Sequence, residues 1–69
     1  MRIGYKRLWK LLIDRNMKKA DLKEKAQISS SSIAKLGRNE NVNTDILVKI
    51  CQALNCKLED IMELEEDQQ

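Results

Sequence analysis

Hydrophobic residues recur at steps of three and four along most of the chain, which is the spacing of one face of an α-helix. In the first such stretch the apolar positions at this spacing are Tyr5, Leu8, Trp9 and Leu12. Asn16 comes after them and tolerates the left-handed backbone that often ends a helix. The pattern therefore predicts a first helix over about residues 5–15.

Two short helices with a brief connection are predicted next. The second helix covers about residues 18–26, where Leu22 and Ala26 share one face. Ser29 is suited to cap a third helix over about 30–37, because its hydroxyl can accept a free backbone N–H. A connection of about three residues makes two helices cross steeply, so the third helix is expected to protrude from the domain.

The remaining apolar pattern predicts two more helices. Asn43 or Thr44 caps a fourth helix that runs to about residue 54, where Asn55 ends it. A fifth short helix is predicted over about 58–63. Its buried residues are expected to be Leu58, Ile61 and Met62.

Length and composition favour one small domain. The chain has 69 residues, of which 42% are hydrophobic and 3% aromatic, and it contains no proline. We expect a single domain over 1–69, with a core over about 5–62 and a solvated acidic tail over 63–69. No apolar run is long enough for a membrane span, and the first ten residues lack the apolar stretch of a secretory signal, so a cytoplasmic protein is expected.

Cysteine and histidine usage argues against a metal or cofactor site. Cys51 and Cys56 lie five residues apart and the chain has no histidine. Five residues along a continuous helix leave the two side chains about 140° out of alignment, which suits neither a disulfide nor a metal ion. Two free, largely buried thiols are predicted, with no metal and no cofactor.

Charge is distributed unevenly although the net charge is only +2. Residues 1–38 contain eleven Lys/Arg and three acids, whereas residues 39–69 contain two Lys and eight acids, which gives the halves charges of +8 and −6. This polarity suggests a side that faces nucleic acid. The alternative is that the surface charge only keeps a small domain in solution.

The stretch over residues 17–36, MKKADLKEKAQISSSSIAKL, resembles the helix-turn-helix of the Cro/C1 (XRE) family of transcriptional regulators. The two closing segments, NTDILVKICQAL and NCKLEDIM, are similar to the last helix pair of that family. Together the resemblance covers about residues 5–62, and it extends to the short single-domain VanU-type regulators. It implies an all-α, five-helix, phage-repressor-like (lambda repressor-like) domain that binds DNA, and a link to antibiotic resistance.

The third helix then becomes the recognition helix. Its outward residues are expected to contact bases in the major groove, with Lys35 the best candidate for guanine O6 and N7, or else for a phosphate. The expected base contacts are Ser30, Ser31, Ala34 and Lys35. The expected phosphate contacts are Lys18, Lys19, Ser29, Arg38, Asn39 and Asn41. For each of these residues the competing interpretation is ordinary exposed polarity or helix capping.

The chain departs from the family pattern at positions that affect the angle of the recognition helix. Lys23 stands where the family has a small residue, so its stem must extend outward. Gln27 stands where the family has a turn glycine, so a positive φ is expected there. An Arg–Glu pair that phage repressors often carry would fall on Leu12 and Gly37, where it is absent.

The leading hypothesis is a repressor or autoregulator that binds a two-fold operator in double-stranded DNA as a homodimer. The expected dimer surface is formed by the fourth and fifth helices, where Ile61, Met62 and Leu64 offer apolar area near the end of the chain. The alternative is a protein-interaction module, such as an antitoxin-like partner or an accessory factor to another regulator. No enzyme is expected, because the chain has no phosphate loop and no nucleophile–base pair. No small-molecule ligand and no membrane contact are expected.

Overall fold

The computed structural model describes residues 1–66, and in this part of the chain four α-helices lie between two short strands. The elements are β1 (Arg2–Gly4), α1 (Lys6–Asp14), α2 (Lys19–Ala26), α3 (Ser30–Gly37), α4 (Thr44–Leu54), a 3₁₀ turn (Leu58–Asp60) and β2 (Glu63–Glu65). The first four predicted helices are confirmed to within one residue at each end. Residues 67–69 of the predicted acidic tail lie outside the described residues.

Residues with a left-handed backbone end the helices where the sequence indicates. Asn16 has a φ of 55° and Asn55 a φ of 51°, both at predicted helix ends. Short polar side chains such as asparagine adopt this conformation at modest cost. α3 ends at Gly37 as predicted, but the left-handed residue after it is Asn39, with a φ of 57°.

The core contains side chains from every helix, and they are aliphatic apart from one tyrosine. Tyr5, at the start of α1, is only 1% exposed. Half-buried Trp9 packs against this core, as interpreted from the sequence. Burying a leucine or isoleucine side chain stabilises a fold by about 1.5–3 kcal/mol. The buried core residues are Tyr5, Leu8, Leu12, Leu22, Ala26, Ile28, Leu36, Leu47, Ile50, Leu54 and Ile61.

The predicted fifth helix is wrong. A single 3₁₀ turn, Leu58–Asp60, takes its place, and the Lys57 N–H donates to the Asp60 carboxylate at 2.9 Å. Ile61 is fully buried as predicted, whereas Leu58 is 48% exposed. Because the following segment extends to pair with β1, the helix cannot continue past this turn.

The all-α helix-turn-helix class is confirmed with four helices in residues 1–66 instead of five, and β1 and β2 add a small two-stranded antiparallel sheet that the sequence did not predict. In its register Arg2 pairs with Glu65, Ile3 with Leu64 and Gly4 with Glu63. The Glu65 carboxylate, the flexible end of a long side chain, occupies the space beside Gly4. Residues assigned to the solvated tail thus form a strand against the N-terminal segment.

The two cysteines are free and half-buried, in agreement with the predicted free thiols. Their predicted misalignment is wrong, because α4 ends at Leu54 and the backbone reverses at Asn55. The Cys56 N–H donates to the Cys51 carbonyl oxygen at 3.1 Å. The rotation of a continuous helix therefore does not apply between the two residues.

Candidate nucleic-acid interface

α2 and α3 are joined by a tight turn at Gln27. This residue has a φ of 56°, the positive value that the missing turn glycine predicts. The Ile28 N–H donates to the Lys23 carbonyl oxygen at 3.1 Å, which closes the end of α2. The Ile28 side chain is 6% exposed and anchors the turn to the core. Lys23 is exposed, as its outward stem requires.

The Ser29 hydroxyl organises the first turn of α3. It accepts a hydrogen bond from the Ser32 N–H at 3.2 Å, as a helix cap does. It also lies 3.0 Å from the Ser31 hydroxyl and 3.1 Å from the Ser32 hydroxyl. Much of the hydrogen-bonding capacity of Ser29 is therefore used inside the protein.

The four predicted base-contact residues lie on one exposed face of α3. Leu36, on the opposite face, is completely buried, and Ile33 is half-buried. This division follows the 3.6-residue period and fixes which side of α3 can meet a ligand. Within residues 1–66 the Ser30 hydroxyl has no hydrogen-bond partner, so it is the serine best able to donate to a base or phosphate. The exposed residues of this face are Ser30, Ser31, Ala34 and Lys35.

The loop after α3 is held to the start of α1 by Tyr5. The Tyr5 N–H donates to the Asn39 side-chain oxygen at 3.2 Å, and the Tyr5 hydroxyl donates to the Glu40 carbonyl oxygen at 3.1 Å. Burial raises the pKa of Tyr5, which keeps the hydroxyl protonated as a donor. Asn39 and Asn41 are both exposed.

Glu40 is a site residue that sequence reasoning missed. The Arg38 side chain donates to its carboxylate and forms an ion pair with it. This hydrogen bond, followed by the charges of Arg38 and Lys35, lowers the pKa of Glu40. The sequence feature that could have revealed it is Arg-Asn-Glu over residues 38–40, where an acid stands two positions after a predicted phosphate contact.

Lys18 and Lys19 lie at the start of α2, as predicted. The Lys18 N–H donates to the Asp21 carboxylate at 2.8 Å, so an acid within the protein already offsets the charge at this helix end. The Lys19 ammonium lies 4.6 Å from the centroid of the Trp9 ring. A Cβ atom placed on Gly37 would lie 3.6 Å from the Lys19 Nζ, so the ammonium group is also next to the end of α3. Lys19 thus links α1 to the end of α3.

Two features of the described part of the chain concern metal ligands and membrane-spanning helices. Residues 1–66 contain no group of three or more acidic or cysteine ligands that could hold a metal ion. None of the helices in this range is long and apolar enough to cross a membrane.

Comparison with known proteins supplies two matches. A model of the family described as the Cro/C1-type HTH DNA-binding domain matches residues 7–67. Among solved structures, the chain is similar to a crystal structure (Form II) of the transcriptional regulator VanUg. The two share 55% sequence identity with a TM-score of 0.89, over 94% of this chain and 88% of that one. No curated protein matches the chain.

Proposed function

The chain belongs to the Cro/C1-type family of helix-turn-helix DNA-binding domains, and from this premise we propose that it is a transcriptional regulator that represses by binding a two-fold operator as a homodimer. The family is one of DNA-binding domains, not of enzymes. The similar protein VanUg is described as a transcriptional regulator. We further propose that the chain acts in the cytoplasm, where it can reach DNA. On the basis of the similarity to VanUg, we also propose a link to antibiotic resistance.

The exposed face of α3 carries the proposal. An α-helix of about 10–12 Å diameter fits the major groove, and this one is supported from behind by fully buried Leu36. Lys35 is the long cationic side chain on the face and is assigned to guanine O6 and N7. Ser30 and Ser31 are assigned to base edges and Ala34 to a thymine methyl group.

The phosphate contacts are assigned around this helix. Lys18 and Lys19, at the start of α2, and the loop after α3 are assigned to phosphates of the DNA backbone. Arg38 must share its guanidinium between Glu40 and a phosphate. Ser29, Asn39 and Asn41 complete the proposed set with neutral donors.

Binding and its sequence preference can be measured together. The full chain is used to select duplexes from a random-sequence DNA pool, and affinity for the selected duplex is followed against salt. With Lys18, Lys19 and Arg38 on phosphates in both protomers, the log–log slope should be about −5. Lys35→Ala should lower the affinity for the selected duplex about 5- to 150-fold and relax the sequence preference at the bases that Lys35 contacts.

Lys10→Ala is the matched control, because Lys10 lies in a groove shared with Asp14, Glu59 and Asp60 rather than on α3. It should bind the selected duplex like the unaltered chain. Failure to select any duplex, or a complex indifferent to salt, would reject the assignment. Retention of a host protein after nuclease treatment would then favour a protein-interaction module.

A homodimer is proposed because one eight-residue helix reads too few base pairs to be selective in a genome. The proposed dimer surface is a shallow apolar groove at the end of the chain, where Leu58 is 48% and Leu64 is 66% exposed. This groove is narrower than the sequence-based surface, because it contains no residue of α4 and because Ile61 is fully buried and cannot contribute. The groove is lined by Lys57, Leu58, Glu59, Met62, Glu63 and Leu64.

The charges at the rim suit a two-fold partner, because Lys57 of one copy can face Glu59 of the other. Leu58→Glu should therefore shift sedimentation equilibrium toward monomer and weaken operator binding. Ile13→Glu, at a residue 73% exposed on α1, is the control and should leave both unchanged. If the unaltered chain sediments as a monomer with and without the selected duplex, the dimer proposal fails while DNA binding can stand.

A further inference from the structure

Cys51 and Cys56 meet at the C-terminal end of α4. The hydrogen bond of 3.1 Å from the Cys56 N–H to the Cys51 carbonyl oxygen spans the left-handed residue Asn55. This is the outer hydrogen bond of a Schellman motif, in which the side chains at the two ends of that bond commonly pack together. The motif thus turns two distant positions of a helical pattern into neighbours.

Standard bond lengths limit how far apart the two residues can be. The Cys56 Cα is one bond from the donor nitrogen, and the Cys51 Cα is two bonds from the acceptor oxygen, which is 3.1 Å from that nitrogen. The Cα–Cα separation is therefore at most about 7 Å, and any bend in this path shortens it. Disulfides span Cα separations of about 4.4–6.8 Å.

The side chains agree with the backbone. Both residues are half-buried, so neither thiol is sealed from solvent. Burial, and after it the adjacent Cys51 sulfur, raise the pKa of the Cys56 thiol. The Arg15 guanidinium donates to the Leu54 carbonyl oxygen and its charge opposes that rise.

We propose that Cys51 and Cys56 form an oxidative modification site, at which hydrogen peroxide converts the two thiols into an intramolecular disulfide. One thiolate attacks a peroxide oxygen, the O–O bond breaks, and a sulfenic acid and hydroxide result. The second thiolate attacks the sulfenic sulfur, the S–S bond forms, and a second hydroxide leaves. The two thiol protons convert the hydroxides to water, so two thiols and one peroxide give one disulfide and two waters.

This site is independent of the proposed DNA contacts, none of which lies on α4. The disulfide would close a six-residue ring around Asn55. It would thereby fix the turn from which the chain enters the 3₁₀ turn (Leu58–Asp60). Covalent closure should also raise the melting temperature, because it restricts the unfolded chain.

The test uses the reduced full chain treated with hydrogen peroxide, alkylated with iodoacetamide and digested with trypsin. Cleavage after Lys49 and Lys57 yields one peptide, residues 50–57, that contains both cysteines. We expect this peptide to lack two hydrogen atoms and to carry no alkyl group. The disulfide should form several-fold faster in the folded chain than in urea, because only the folded turn holds the thiols together.

Cys51→Ala and Cys56→Ala should each leave one alkylated thiol after the same treatment. The unaltered chain carries the decisive readout, so the test does not depend on how well either variant folds. The proposal is overturned if both thiols alkylate after peroxide, if sulfenic or sulfinic acids accumulate without the disulfide, or if the bond joins two chains. Equal rates in the folded chain and in urea would also overturn it.

Discussion

Basic side chains have different surroundings on two surfaces of the molecule. On the sheet surface, formed by β1, β2, the 3₁₀ turn and Arg7 from the first turn of α1, Arg7 lies 3.3 Å from Glu63 and Arg2 lies 3.8 Å from Glu65. On the helix-turn-helix surface, formed by α2 and α3, Lys23, Lys25 and Lys35 form no ion pair within residues 1–66. The first surface thus pairs its basic side chains with acids, whereas these three lysines of the second surface have no such pair in the described range.

This difference explains why the charge of the sequence halves overstates the charge of the proposed DNA face. The first 38 residues carry +8, but Arg2 and Arg7 belong to the sheet surface and are paired with acids from the second half. Glu40, from the acidic half, pairs with Arg38 beside α3 instead. A chain that brings its two ends together mixes the charges of its halves.

Removing the support of the helix-turn-helix surface should have the largest effect. Leu36 is completely buried beneath α3, so Leu36→Ala should lower the free energy of unfolding by about 2–5 kcal/mol. For a domain of this size that is a large part of the total stability. Urea denaturation followed by circular dichroism measures the change.

The control for this substitution is Ile13→Ala on α1. Ile13 is 73% exposed, and its truncation should change the free energy of unfolding by less than about 0.5 kcal/mol. Equal losses for the two variants would mean that α3 is not seated on the core as described.

How much the sequence predicts differs between the same two surfaces. The helix-turn-helix surface is encoded locally: Ser29 caps α3, Gln27 takes the left-handed turn, and the apolar period selects Leu36 as the buried residue. Each of these features depends on residues within a few positions of one another. Local rules therefore predict α2, the turn and α3 to within one residue.

The sheet surface depends on pairing between the two ends of the chain, and local rules could not predict it. The strands are three residues each, too short for a clear alternation, and within residues 1–66 β1 pairs only with β2. The segment after Leu58 has helical spacing, but pairing with Arg2–Gly4 requires it to extend. The Tyr5 contacts with Asn39 and Glu40 are also between residues far apart in the chain, so they could not be predicted from the sequence either.

Tyr5 lies between the two surfaces, and removing its hydroxyl should have an intermediate effect on the free energy of unfolding. Tyr5→Phe removes the hydrogen bond to the Glu40 carbonyl oxygen and should cost about 1 kcal/mol in the free energy of unfolding. Because burial raises the pKa of Tyr5 in the folded chain, ionisation disfavours folding. The advantage of the unaltered chain over Tyr5→Phe should thus be complete below about pH 10, the pKa of an unperturbed tyrosine.

Above that pH the advantage should shrink as the pH rises through the folded-state pKa. Parallel urea titrations of both chains at neutral and alkaline pH measure the difference. A difference that does not change with pH would show that the hydroxyl is not buried as a protonated donor. Affinity for the selected duplex at neutral pH tests whether the Tyr5 contact also positions the loop after α3.

Arg7→Gln should have the smallest effect on stability, and it tests most directly whether the two surfaces have different roles. The Arg7 side chain donates to the Glu59 carbonyl oxygen at 3.0 Å and pairs with Glu63, but it is 52% exposed, so solvent screens both contacts. Arg7→Gln should therefore lower the free energy of unfolding by only about 0.5 kcal/mol. The affinity of this variant for the selected duplex should not change, because the Arg7 charge is already paired with Glu63 on the sheet surface.

Lys35→Ala should do the reverse, with unchanged stability and weakened DNA binding. If Arg7→Gln instead weakens DNA binding as Lys35→Ala does, the two surfaces are not functionally distinct, and phosphate contacts must extend to the sheet.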